Sequence, residues 1–186
     1  MSISKFFKRS RLFYGFINVA FNQYDNARVK SVGPDTAAAE WIVKNEGWVR
    51  GAGQTAWIKD YNGLSSCYGG RFKLTNIKAV DIDITSGGCK HFDELKHLKY
   101  LNLRDCVNID DSGFRVICRN CWHSLQYLDI AGTSISIQGL ELINDFKTLK
   151  TLKYDKKLTK DALKHDAIIQ KLNEIGRIND IEVIQK

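Results

Sequence analysis

The chain has 186 residues, a net charge of +7, a single proline, five cysteines and 44% hydrophobic residues. That length can bury roughly 70% of the unfolded surface, enough for one continuous core, and no stretch has the composition of disorder. No apolar run reaches the ~18 residues of a membrane-spanning helix; the most apolar window, Leu12 to Tyr24, is broken by Gly15, Asn18, Asn22 and Gln23.

The charge is uneven. Residues 1–30 set six cations against Asp25 alone, a net +5 that leaves only +2 for the rest. As a helix, the opening segment gathers Phe13, Ile17, Ala20, Phe21 and Tyr24 near one side, behind a leader of Lys and Arg. Three readings fit this pattern: a mitochondrial presequence over residues 1–12, an ordinary amphipathic terminal helix, or a helix lying on an anionic membrane surface. The next segment, VGPDTAAAEWIVKNEG, predicts a helix. Pro34 suits the first helical position, Asp35 complements the exposed N–H groups, Ala37, Ala38 and Ala39 are strong formers, and Gly47 is the expected stop. The stretch WVRGAGQTAWIKDYNGL then brings Trp48, Trp57 and Tyr61, expected to pack as a cap. Residues 13–70 therefore read as a small, mostly helical N-terminal domain.

From residue 71 to 186 an apolar stencil recurs: IKAVDID from Ile77, LKYLNLR from Leu98, LQYLDIA from Leu125 and LKTLKYD from Leu149. Each fits LxxLxL, with Tyr154 in the last apolar place, and the starts are 21, 27 and 24 residues apart. Those steps match the leucine-rich-repeat period. One such unit cannot bury its apolar face until a neighbour stacks on it. The expected fold is thus an α/β leucine-rich-repeat solenoid of about four cysteine-type repeats with a helical N-terminal cap. Cys106 takes the place of the small buried group that turns the chain out of the strand. The tail, with a helical period through Leu163, Ala167, Ile168, Leu172 and Ile175 and then Ile181, Val183 and Ile184, is expected to close the far end.

No catalytic constellation stands out, and a binding protein is the expected class. Five cysteines without a secretory signal favour free thiols. Cys118 and Cys121 form one CxxC with His123 nearby, but no second pair completes a tetrahedral zinc site, and Cys121 has a packing role in this register. GAGQT at Gly51 lacks the strand and helix of a phosphate loop and reads as a turn. Solenoids bind on the concave sheet face, where the outward positions are Asp81 and Asp83; Tyr100, Asn102 and Arg104; Tyr127 and Asp129; Lys153 and Asp155. Tyr and Arg dominate interface energetics, so Tyr100, Arg104, Tyr127 and Asp129 are the candidate partner-binding residues. The lysines from Lys147 to Lys164 are interleaved with Asp145, Asp155, Asp161 and Asp166, which argues against nucleic acid and for a solvated rim or a patch for an acidic protein or lipid.

The segments FYGFINVAFNQYD, VGPDTAAAEWIVKNEGWVR and WIKDYNGL, with the spacing into IKAVDIDIT, resemble the mitochondrial ATP synthase coupling factor B (subunit s) family. HSLQYLDIAGTSISIQGLELI also resembles the related distal membrane-arm assembly proteins of complex I. The resemblance implies a peripheral protein on the matrix side of the mitochondrial inner membrane. The role it implies is support of coupled proton conduction by binding the ATP synthase membrane sector or, as the alternative, assembly of the membrane arm of complex I. It also implies functional roles for Tyr14 and Gly15, with Tyr where the family often has Trp, and for Arg50. A bound Mg2+ is implied as well, its best matches here being Gly33 and Ser66. A third possibility, a ubiquitin-ligase substrate adaptor, calls for an F-box-like start with Leu-Pro, and the only proline sits in VGPD.

Overall fold

A computed structural model describes residues 11–155, 170 and 180–184; of 11–14, 144–145 and 180–184 it describes the backbone alone. The expected leader falls outside this range except for the backbone of Arg11 and Leu12, as does the expected tail helix except for Gln170.

Three helices open the described chain: α1 (Arg11–Asn22), α2 (Asn26–Val32) and α3 (Pro34–Lys44). Asp25 caps α2 by accepting the Arg28 N–H at 2.9 Å. Gly33, at φ 86°, links α2 to Pro34 at the start of α3. Asp35 accepts the backbone N–H of Leu74 at 2.7 Å and so ties α3 to the sheet. The stop differs in detail from the one expected at Gly47. Glu46 is the left-handed residue (φ 68°), and the N–H groups of Glu46 and Gly47 close back on Val43 and Ile42. That is the Schellman pattern. Gly47 is needed there for space, since a Cβ would lie 2.6 Å from Ile42.

Within the expected N-terminal cap the next segment is a strand and not a helix. Trp48–Gly51 forms a strand, β1, with Val49 bridged to Ile58 on its other side. Alternation at Trp48, Val49 and Arg50 is too short a period-2 signal to stand out beside the helices. Five further strands follow: β2 (Leu74–Lys78), β3 (Tyr100–Asn102), β4 (Tyr127–Asp129), β5 (Thr151–Asp155) and β6 (Asp180–Ile184). They lie side by side in chain order; β1 is antiparallel to β2 and every other pair is parallel. The molecule is therefore a mixed α/β protein. The tail contributes β6, a sheet strand.

Register corrects the frame of the first copy. Ile77 pairs with Leu101, then Leu128 and Leu152, so the counterpart of Leu98 is Leu74 and not Ile77. The steps become 24, 27 and 24. Both frames of LTNIKAVDID fit the stencil, and the small Ala79 in the last apolar place made the true one look weaker. Asp81 and Asp83 consequently lie beyond the strand. Asp81 (φ 54°) occupies the same left-handed turn as Asp105 (φ 61°) and Gly132 (φ 76°), and the sheet-face positions of this repeat are Asn76 and Lys78.

The return segments carry helices α4 (Asp111–Cys121) and α5 (Ile137–Leu140). Asp110 caps α4 by accepting from the N–H groups of Ser112 and Gly113 and also takes the Ser86 hydroxyl, at 2.6 Å, from the preceding repeat. The Ser112 hydroxyl, donating at 2.6 Å, and then these hydrogen bonds pull its carboxyl down to about 2. Cys106 is fully buried, as expected, and its thiol donates to the Ala79 carbonyl at 3.0 Å. One core runs without a break from Ala38 to Tyr154 and includes Phe92, Phe114, Ile117, Cys121 and the four leucine-row residues.

The helical end is joined to this core through His91. Its ring stacks on Trp41 (4.9 Å, 13°), Tyr24 lies 5.1 Å away, and Nε2 is 3.4 Å from the Gln23 carbonyl. Burial pushes the imidazole pKa down, so the unfolded chain takes up this proton first as pH falls. The contribution to stability is complete above about pH 6.5 and is lost below it. In His91→Phe, which keeps a ring on Trp41, the urea midpoint should change less between about pH 6.5 and 5 than in the wild type. Equal declines in both proteins would place the pH sensitivity elsewhere.

Candidate functional site

Alternation along the strands sends Val49, Ile77, Leu101, Leu128 and Leu152 into the core and their neighbours to the opposite face. In-register pairing then aligns those neighbours in rows across the sheet. One row reads Arg50, Asn76, Tyr100, Tyr127, Thr151; the next reads Trp48, Lys78, Asn102, Asp129, Lys153.

Adjacent parallel strands are about 4.8 Å apart, so identical side chains in one row meet face to face. Tyr100 and Tyr127 do so, stacked with centroids 4.4 Å apart and planes 12° from parallel. Burial, with each other and Asp129 as neighbours, pushes the Tyr127 phenol pKa up. Trp57, from the loop after β1, bridges the gap left by the shorter Asn76. It meets Tyr100 edge-on at 6.2 Å and carries the Arg50 guanidinium 4.7 Å above its ring. Arg50, Trp57, Tyr100 and Tyr127 thus make one continuous cation–aromatic band. Beside it, Trp48 holds the ammonium groups of Lys59 at 4.1 Å and Lys78 at 4.6 Å.

The second row is closed by an ion pair. Arg104 directs Nε (3.0 Å) and Nη2 (2.8 Å) to one oxygen of Asp129, whose other oxygen accepts the Ala131 N–H at 3.2 Å. Asp129 is 1% exposed. Its place is beneath the face, holding Arg104, rather than on the face meeting a partner.

The structure therefore joins Arg50, Tyr100 and Tyr127 in one row and pairs Arg104 with Asp129. Tyr14 and Gly15 lie apart from them on α1, where Gly15 is exposed with open space around it. Trp48, Trp57, Lys59 and Lys78 were missed as site residues because the first repeat was framed three residues late and the two tryptophans were assigned to cap packing. The short alternation of WVR is the one local signal, and the pairing Trp48↔Lys78 that brings these residues together is tertiary.

The five cysteines are all buried free thiols. Burial pushes Cys106 and Cys121 up to about 12 and raises Cys89 as well, which keeps them protonated and poor as nucleophiles or ligands. Among the described residues no group of three or more His, Cys, Asp or Glu side chains could hold a metal. For Mg2+, Gly33 and Ser66 line two different grooves, one with Tyr68, Gly69 and Gly70, the other with Gln54, Trp57 and Lys59. The Gly33 carbonyl already accepts the Ala37 N–H, and the Ser66 hydroxyl donates to Gly63 and accepts from Gln54. Two neutral, occupied oxygens make a poor donor set for an ion that favours carboxylates and octahedral geometry.

The class these features define is a mixed α/β protein with a chain-ordered sheet that presents one long aromatic and cationic face. No protein-family model matches the chain. It is 33% identical to the mitochondrial ATP synthase subunit s of Bos taurus over 146 residues, covering 77% of this chain and 73% of that protein. It is 40% identical to the Homo sapiens subunit s over 102 residues, 55% of this chain and 51% of that one. It is also 25% identical over 134 residues to the distal membrane arm assembly component 2 of Drosophila melanogaster, 70% of this chain and 47% of that protein. The chain belongs to the family of ATP synthase subunit s, also called coupling factor B.

Removing Asp129 leaves the Ala131 N–H and the Arg104 guanidinium without their acceptor. Asp129→Ala should cost about 2 kcal/mol, read as a lower urea midpoint at unchanged slope. A midpoint equal to the wild type's would show that the pair is replaceable by water.

Proposed function

We propose that this protein is a mitochondrial, non-enzymatic coupling factor that binds the membrane sector of ATP synthase and supports proton conduction through it. The reading is carried by the family match, since its relatives are named mitochondrial ATP synthase subunits. The Arg50–Trp57–Tyr100–Tyr127 band supplies a surface of the kind that anchors protein partners, namely rigid aromatic rings beside an arginine. In this reading residues 71–186 form a leucine-rich-repeat stack, and residues 13–70 cover its first strand.

Peripheral attachment to the inner membrane is part of the proposal. Among the described residues no helix is long and apolar enough to cross a membrane. On α1, however, Phe16 (75%) and Val19 (72%) are among the most exposed large apolar residues, and Lys44 stands 4.7 Å above the Phe21 ring. Apolar side chains beside cations suit an anionic interface. A second reading, assembly of the complex I membrane arm, is favoured by the similarity to the distal membrane arm assembly component.

Tagged full-length protein, separated on native gels from solubilised mitochondria, should co-migrate with ATP synthase subunits. Tyr100→Ala/Tyr127→Ala should stay folded and lose most of that co-migration, on the order of 10-fold or more for a central aromatic anchor. Co-migration with complex I intermediates would replace the first reading by the second. In sedimentation with anionic vesicles, Phe16→Ser/Val19→Ser should cut the bound fraction several-fold, whereas unchanged binding would remove α1 from the membrane contact.

A further inference from the structure

The β1–β2 end of the sheet face gathers three cations on two indoles, and that cluster specifies a partner. At the β1–β2 end Arg50, Lys59 and Lys78 crowd around two indoles: Lys78 sits directly across from Trp48 in register, Lys59 reaches the same ring, and Arg50 lies on Trp57. Among the described residues none of the three makes an ion pair; the pairs there are Arg28–Glu40, Arg104–Asp129 and Arg119–Asp93. Asp60, which lines the groove next to Trp57 and Lys59, is turned onto the Gly63 N–H at 3.1 Å. Further along the face the tyrosine stack is uncharged, and Asp129 and Arg104 neutralise one another.

We propose that the β1–β2 end of this face seats an acidic polypeptide segment. Its carboxylates lie on Arg50, Lys59 and Lys78, and a neighbouring apolar or aromatic side chain lies on the Tyr100–Tyr127 stack. This rests on the reading above that the face is the docking surface, and adds the chemistry of what docks. A ring beneath each cation holds it in place through cation–π attraction, and an ammonium on a ring keeps donors free for a carboxylate. Ordering these long side chains in advance lowers the entropic cost of binding. A polypeptide is favoured over a bilayer because Trp48, Arg50, Trp57, Lys78, Tyr100 and Tyr127 are all half-buried. A narrow chain can reach them, whereas a planar lipid surface suits the more exposed Phe16 and Val19 of α1.

The test uses the full-length protein and a fluorescein-labelled peptide of repeating Glu-Leu-Glu-Trp, with its Lys-for-Glu counterpart as control, read by fluorescence anisotropy. The acidic peptide should bind, weaken as salt rises, and outcompete the basic one. Arg50→Gln/Lys59→Gln/Lys78→Gln should weaken it at least about 10-fold. Lys90→Gln, which removes a ring-bound cation elsewhere (over Tyr24), should leave it unchanged. Equal binding of both peptides, or no effect of the triple substitution, would overturn the proposal. So would anionic vesicles or a single-stranded oligonucleotide binding more tightly than the peptide and losing that binding in the same triple variant. Native gels separate this failure from that of the wider reading. If the triple variant loses the complex although no acidic peptide binds, the face still docks but not an acidic segment. If both the triple variant and the tyrosine pair co-migrate like the wild type, the face is not the docking surface at all.

Discussion

Everything in this molecule depends on the in-register burial of one row of side chains, Ile77, Leu101, Leu128 and Leu152, by strands that pair in chain order. Each unit has too little of its own core to stand alone, and each such side chain contributes roughly 1.5–3 kcal/mol only when its neighbour is in place. Because the side-chain period of a strand is two, the same pairing that buries this row turns the adjacent residues outward. The residues on the opposite face are aligned as a direct consequence of the core. Tyr100 and Tyr127 stack because Leu101 and Leu128 pair.

The remaining interactions settle where that sheet begins and how its turns are held. A parallel sheet has exposed edges that invite unwanted pairing. Here β1 covers β2 in antiparallel sense, and α3 is fastened over the junction by Asp35 on the Leu74 N–H and by Trp41 against His91 and Phe92. Successive repeats are latched at the strand ends by small polar groups, Asp110 with Ser86 and Asp111 with Ser136. The chain leaves the strands through left-handed residues at 81, 105 and 132. In the proposed reading the docking side chains are those that the repeat lines up, together with two tryptophans from outside the repeat.

Much of this was legible in the sequence. The LxxLxL spacing announced stacked strand units, since only a neighbour can bury such a stripe. The Pro34–Asp35–Ala37 run announced α3, and Cys106 announced its buried turn. The first repeat was misread because Leu74-Thr-Asn-Ile-Lys-Ala and Ile77-Lys-Ala-Val-Asp-Ile fit one pattern equally well along the chain. Asp81 and Asp83 were placed on the face for that reason, and Asn76 and Lys78 were overlooked. Alternation points Asp129 to the face side of its strand, but it lies buried beneath Arg104, a side chain from just past the neighbouring strand, which no local pattern announces.

By itself the sequence determined the stacked strand units, the helix α3, the buried turn at Cys106 and, through its likeness to subunit s, the family. Local patterning carries these because apolar periodicity and helix capping act over a few residues. Only the tertiary structure decided the register of the first repeat, the antiparallel strand at Trp48–Gly51 and the joining of Arg50 to Tyr100 through Trp57. Those contacts span tens of residues, and they exist because strands brought together by a shared core place distant side chains in one row.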